Sequence, residues 1–110
     1  MELRLLHYFA AVCEHGSLHG AAAAVHVAQP SLSRQIRRLE TELGFALFER
    51  TPRGLVLTAA GRNFLPVAQD LLLRASQAQT TASMIAKGTV SDLTVVSATT
   101  TVADIIAPTS

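Results

Sequence analysis

The sequence is poor in cysteine, in charge and in long apolar runs, and each shortage excludes a class of protein. Its single cysteine, Cys13, excludes an internal disulfide framework and makes a reducing cytosol the expected compartment. Charged residues are 15% of the 110, against roughly 25% in a typical soluble domain, while 49% are hydrophobic, a balance too apolar for intrinsic disorder. Yet no stretch of about 18 uncharged apolar residues occurs, so no membrane span is expected. The opening Met1-Glu2-Leu3-Arg4 has no basic region followed by an apolar one, as a signal peptide would. CxxC, HExxH, GxSxG and P-loop spacings are all missing, as is any paired-carboxylate constellation. His7, His15, His19 and His26 do not form a metal-ligand pattern, because Gly16-Ser17 separates His15 from His19 on the helical register. No metal, no cofactor and no enzyme is therefore expected, and the length falls short of an ordinary α/β enzyme. Cys13 shares a helical stripe with Leu6 and Phe9 and reads as a structural thiol.

What is present is unevenly placed. The chain carries a net charge of only +1, but residues 34–62 hold six arginines (34, 37, 38, 50, 53, 62) against three glutamates (40, 42, 49). After residue 62 the balance is slightly acidic. All basic residues but Lys87 are arginine, whose planar fork suits bidentate phosphate and guanine contacts. A basic cluster is commonly no more than a solvated face, so the surrounding pattern has to decide.

The pattern is helical first. Leu6, Phe9, Ala10 and Cys13, widened by Leu5 and Val12, predict a helix over 2–15, ended by Gly16. Ser17 is an N-cap residue for a short helix over 18–25, in which Ala21 to Ala24 permit close approach. Three residues, His26-Val27-Ala28, lead to a third helix opened by Gln29-Pro30. Along it Leu32, Ile36, Leu39 and Leu43 step 4, 3, 4 on one face. Pro30, Arg34, Arg37 and Thr41 fall opposite, with Arg38 beside them, and Gly44 stops the helix. Two short helices joined by three residues, the second with an arginine face, describe a helix-turn-helix. Two apolar runs, 47–50 and 55–57, flank Thr51-Pro52-Arg53-Gly54 and predict a hairpin, hence a wing.

Thr58 then caps a long helix to about Lys87, with Pro66 inside it as a bending point. Phe64, Ala68, Leu71, Ala75, Ala78, Ala82 and Ile85 form a heptad seam of about three heptads. At 1.5 Å per residue such a helix is a rod of about 45 Å that cannot fold back on a small domain, so its whole seam is expected to meet a second subunit. Beyond Gly88, Leu93-Thr94-Val95-Val96 reads as a strand, followed by a Thr99-Thr100-Thr101 turn and a helix start. A lone strand is not stable in water, so the chain is expected to stop just inside a further domain.

These residues resemble the LysR-type transcriptional regulators of bacteria. The resemblance rests on Leu6-His7-Tyr8-Phe9, Ala11-Val12, Gly16-Ser17-Leu18, Ala21-Ala22, the run Gln29 to Ile36, Arg38-Leu39-Glu40, Leu43-Gly44, Leu47-Phe48-Glu49-Arg50, Arg53-Gly54 and Leu57-Thr58 with Ala60-Gly61. It covers residues 1 to about 87 without a gap. It implies a mainly α fold: a winged helix-turn-helix over 1–58, a linker or dimerisation helix over 59–87, and over 88–110 the first strand of a truncated α/β effector-binding domain. It implies a cytoplasmic regulator of transcription that binds double-stranded promoter DNA as a homodimer, paired into a tetramer in the full-length protein. A small-molecule effector would bind the C-terminal domain, with Thr99, Thr100 and Thr101 facing an anionic group.

On that reading Gln29, Pro30 and Ser31 meet base edges at the start of the recognition helix, a glutamine amide reading adenine and a proline ring packing on a thymine methyl. Arg34 forks onto guanine or clamps a phosphate, while Ser33, Arg37 and Arg38 contact phosphates. The family's wing arginine, matched by Arg53, enters the minor groove, where narrow A·T-rich tracts concentrate negative potential. Thr58 offers its hydroxyl and first-turn amides to a phosphate. Plainer readings stand beside these: Arg38 and Glu42 as a surface ion pair, Gln29-Pro30 as a helix start, Thr58 as a cap. The sequence departs from the family at Ala28, where a capping Ser or Thr is usual, and at Leu18, His19 and Gly20. A second class of function, a protein-interaction and dimerisation module using the winged helix as a scaffold, also fits the heptad seam.

Overall fold

A computed structural model of the chain describes residues 1–88; the predicted strand at 93–96 and the Thr99–Thr101 turn lie outside the described residues. Four helices and one hairpin follow in the order α1 (Leu3–His15), α2 (Leu18–Val25), α3 (Gln29–Leu43), β1 (Phe48–Thr51), β2 (Gly54–Leu57) and α4 (Ala59–Ala86). The chain divides into two compact units, Met1–Arg74 and Ala75–Ser110.

Helix boundaries in the first unit follow local chemistry. Gly16 ends α1 in the left-handed region (φ 73°), its N–H donating to the Val12 carbonyl. The Ser17 hydroxyl accepts from the Gly20 N–H at 3.0 Å and opens α2. His26 closes α2 at φ 61°, a left-handed conformation uncommon for a residue with a Cβ, stabilised as its neighbour's N–H (Val27) reaches the Ala22 carbonyl at 3.1 Å. Ala28 stands at the N-cap of α3 and supplies no side-chain bond, as its methyl group dictates.

The core sits between α1, α2 and α3. Leu5, Leu6, Phe9, Val12, Ala21, Leu32, Ile36 and Leu39 are buried, so the apolar stripes of α1 and α3 face each other as their spacing requires. Each such large side chain contributes roughly 1.5–3 kcal/mol by leaving water. Phe9 is central: its ring meets the edge of Phe48 at 5.5 Å and lies 6.0 Å from Phe64, tying the hairpin and α4 to α1.

The hairpin is antiparallel with Phe48 opposite Leu57, Arg50 opposite Leu55 and Thr51 opposite Gly54. Its first strand begins at Phe48 rather than at Leu47. The reason is that only half of the next pair is made: the Leu47 carbonyl accepts from the Thr58 N–H opposite it at 2.9 Å, but the Leu47 N–H is diverted to the Glu40 carboxylate at 2.7 Å. Leu47 is itself wholly buried.

Helix α4 corrects the expectation that the whole seam is free for a partner. Ala68 is wholly buried in the core of the first unit, and Phe64, Leu65 and Leu72 pack against that core. The first turns of α4 do fold back on the small domain, because Gly61 removes the side chain that would hold them away from the Leu47 carbonyl. Leu71, at 37% exposure, is the first seam residue left largely open. In the second unit the described structure is the remainder of α4. Ala78, Ala82 and Ile85 are exposed along it, and Gly88 (φ 76°) closes it by donating to the Ile85 carbonyl.

Candidate nucleic-acid interface

Helix α3 presents a cationic face because its apolar face is consumed by the core. With Leu32, Ile36 and Leu39 buried, Arg34, Arg37 and Arg38 are exposed together with Pro30 and Thr41. Gln29 is also exposed at the helix start, whereas Ser31 and Ser33 are half-buried on its flanks. Arg34 and Arg37 form no ion pair among the described residues, so their charges are open to solvent and to an incoming anion. Arg38 lies 3.6 Å from Glu42, as the i, i+4 spacing predicts. Both partners are well exposed, and such a pair contributes only a few tenths of a kcal/mol.

The first turn of α3 keeps open amides. The Leu32 N–H makes the first intrahelical bond, to the Ala28 carbonyl at 3.0 Å. Pro30 has no N–H, and Ala28 has no side-chain oxygen to meet those of Gln29 and Ser31. The helix start therefore combines partial positive charge with two arginines one and two turns further along.

Arg53 is exposed in the hairpin turn. Thr51 shapes that turn: its hydroxyl donates to the Gly54 carbonyl at 2.9 Å and accepts from the Arg53 N–H at 3.1 Å. Gly54 takes φ 110°, a conformation closed to residues with a Cβ, so the turn is fixed by Thr51 and Gly54 while Arg53 is free to project.

Thr58 is arranged differently from the expectation that its hydroxyl faces a phosphate. The hydroxyl donates to the Ala46 carbonyl at 2.6 Å and accepts from the Gly61 N–H at 2.9 Å. It caps α4 as its position predicts, and its hydrogen is committed inside the fold. What remains at that helix start for an anion is the main-chain N–H of Ala59 and Ala60.

Two residues that entered the sequence reading only through the charge count and the family resemblance, with no role given to them, have structural duties. The Glu40 carboxylate binds the Leu47 and Phe48 N–H groups at 2.7 and 3.3 Å. Gly61 lies so close to Leu47 that an added Cβ would overlap the carbonyl oxygen. Both contacts span loops, so no local signal could have found them. Among the described residues no cluster of His, Cys, Asp and Glu could hold a metal ion. No helix there is long and apolar enough to cross a membrane. Burial pushes the half-buried Cys13 thiol up from 9.0 to about 11, so it is a thiol and not a thiolate at neutral pH.

Comparison with known proteins matches this arrangement. The family model described as bacterial regulatory helix-turn-helix protein, lysR family, covers residues 3–62. The chain belongs to the LysR family. Within it, the HTH-type transcriptional regulator ClcR of Pseudomonas putida is 54% identical over 72 residues, 66% of this chain and 24% of ClcR. TfdT of Cupriavidus pinatubonensis, also an HTH-type transcriptional regulator, is 45% identical over 96 residues, 87% of this chain and 42% of TfdT. The crystal structure of the BenM DNA-binding domain with catB site 1 DNA has a TM-score of 0.75 at 45% identity, covering 80% of this chain and 95% of that one. The chain thus spans well under half the length of these two LysR-family regulators. The mainly helical fold with a two-stranded wing is the winged helix-turn-helix of the family's DNA-binding domains.

Proposed function

We propose that the chain is the DNA-binding part of a cytoplasmic LysR-family transcription regulator, with no enzymatic activity of its own. The observation that carries this is the exposed face of α3, where Arg34 and Arg37 stand without acid partners among the described residues on a helix whose other side is locked in the core. Helix α3 enters the major groove of double-stranded promoter DNA. Gln29, Pro30 and Ser31 approach base edges, Arg34 forks onto guanine or phosphate, and Arg37, Arg38 and Ser33 hold the backbone. Arg53 reaches the adjacent minor groove. Thr58 contributes through the first-turn amides of the helix it caps, since its hydroxyl is occupied.

In domain terms, residues 1–58 bind DNA, 59–87 form the linker, and 88–110 begin an effector-binding domain. Two copies pair along the open part of the α4 seam, Leu71, Ala75, Ala78, Ala82 and Ile85, and pairs associate into tetramers in the full-length protein. A small molecule in the C-terminal domain, touching Thr99, Thr100 and Thr101, sets the regulator's activity.

The test is a titration of the chain against duplex DNA carrying the T-N11-A palindrome that the family resemblance implies, at 50 and 200 mM salt. If Arg34, Arg37 and Arg38 of each subunit meet phosphates, six contacts per dimer give a salt slope of about −5 and weaken binding about a thousandfold across that range. Arg34→Ala is expected to cost about 1–3 kcal/mol. Binding indifferent both to salt and to Arg34→Ala refutes the reading. Retained partner binding after charge reversal at Arg34, Arg37 and Arg53 would instead favour a scaffold for protein contacts, the reading that the α4 seam supports.

A further inference from the structure

The connection from the recognition helix to the wing is held at both ends by one residue. The main-chain carbonyl of Glu40 accepts from the Gly44 N–H at 2.9 Å, and its carboxylate accepts from the Leu47 and Phe48 N–H groups at 2.7 and 3.3 Å. From the other side, Thr58 donates its hydroxyl to the Ala46 carbonyl and its N–H to the Leu47 carbonyl. A two-stranded hairpin has little stability of its own, so its orientation must be imposed by such ties and by the Phe48 ring against Phe9. Of these ties only those of Glu40 start from α3. The bond to Leu47 is short, at 2.7 Å, and bonds to an ionised acceptor are roughly twice as strong as neutral ones; the bond to Phe48, at 3.3 Å, is the weaker of the two.

We propose that Glu40 is the positioning residue of the wing: by fastening the Leu47 and Phe48 peptide groups to α3, it sets where Arg53 lies relative to Arg34, and so couples minor-groove to major-groove contact. This rests on the DNA-binding reading above. It gives the carboxylate at position 40 a function on a helix that otherwise gathers positive charge, and its own charge is turned onto two peptide N–H groups.

A double-mutant cycle on the 110-residue chain tests it, using the T-N11-A duplex with A·T-rich flanks at 50 and 200 mM salt. Arg53→Ala is expected to weaken binding about tenfold and to lower the salt slope by about one per bound subunit. Glu40→Ala should reproduce both effects although Arg53 is still present, and the double variant should be no weaker than either single one. Glu40→Gln, which keeps an acceptor oxygen, should recover most of the affinity. The salt slope separates positioning from damage, because partial unfolding lowers the active fraction and leaves the slope of the folded molecules unchanged. Should Glu40→Ala melt below the assay temperature, the same cycle with Glu40→Gln should give a smaller loss, still non-additive with Arg53→Ala. Losses that simply multiply, or a Glu40 variant with the parent slope, overturn the inference while leaving DNA binding intact. Loss of salt dependence in the parent, or indifference to Arg34→Ala, strikes instead at the DNA-binding reading and takes the inference with it.

Discussion

Replacing Gly61 by alanine sets two effects of opposite sign against each other, and the structure says which wins. Alanine is favoured over glycine by up to about 1 kcal/mol in a helix, the full amount applying to the interior and Gly61 lying in the first turn of α4, so propensity alone predicts a protein at most that much more stable. But the new Cβ would overlap the Leu47 carbonyl oxygen, and would also meet the Leu47 carbonyl carbon at 3.1 Å and Leu57 Cδ2 at 3.0 Å. That carbonyl cannot swing aside freely. It accepts the Thr58 N–H at 2.9 Å, and the N–H of the same residue is held by Glu40. Overpacking of this kind costs about 1–3 kcal/mol, and loosening the Leu47–Thr58 bond about 1 kcal/mol more. Less the gain in propensity, the net loss is about 2 kcal/mol. For a folded unit of this size each kcal/mol moves Tm by roughly 4–8 °C, so Gly61→Ala should melt roughly 8–16 °C lower by circular dichroism at 222 nm. Gly20→Ala is the control: its Cβ would come no nearer than 3.2 Å to any atom, the nearest being the capping Ser17 Oγ, which need give by only a few tenths of an ångström, with His15 at 3.4 Å or beyond. That variant should melt within a few degrees of the parent or above it. A Gly61→Ala protein as stable as the parent would refute the close approach of α4 to Leu47.

Other expectations follow from the same contacts. Ala28→Ser supplies the missing N-cap oxygen to the Ser31 N–H and should add about 1 kcal/mol, read as a rise in Tm. Leu47→Ala empties a wholly buried site where hairpin, α3 and α4 meet and should cost about 2–5 kcal/mol in denaturant unfolding. Cys13 should react with iodoacetamide at pH 8 about a hundredfold more slowly in the native chain than in urea, because two pH units separate its folded and ordinary values. The sign for stability follows: the folded state holds the thiol proton more tightly, so this contribution is fully present below pH 9 and is lost as pH rises towards 11. Cys13→Ala should flatten that decline.

The division between what the sequence revealed and what it hid follows the range of the interactions. Helix ends at Gly16, Ser17, Ala28 and Gly44 are set by atoms within four residues, and all are visible in the pattern. The arginine face of α3 is visible too, because burial of Leu32, Ile36 and Leu39 leaves one orientation for the rest of the helix. The α4 seam shows where such reasoning stops. Periodicity says which residues share a stripe, and is silent on whether one partner or two cover it. Phe64 and Ala68 belong to the same heptad pattern as Leu71 and Ile85, yet the first pair is absorbed by the core of this chain and the second is left exposed. The deciding residue is Gly61, one heptad before Ala68 on the same stripe, whose missing side chain lets the first turns of α4 sit on the Leu47 peptide. Thr58 illustrates the same limit within one side chain. Its acceptor role to Gly61, three residues on, is a local cap, while its donor bond reaches twelve residues back to Ala46 and withdraws the hydroxyl hydrogen from any ligand. The structural junction at Leu47 is thus assembled from Glu40 on α3 and from Thr58 and Gly61 at the start of α4, and the two sides do not meet until the chain has folded. That is why a pattern rich enough to give the fold and the basic face could not give the geometry that relates the wing to the recognition helix.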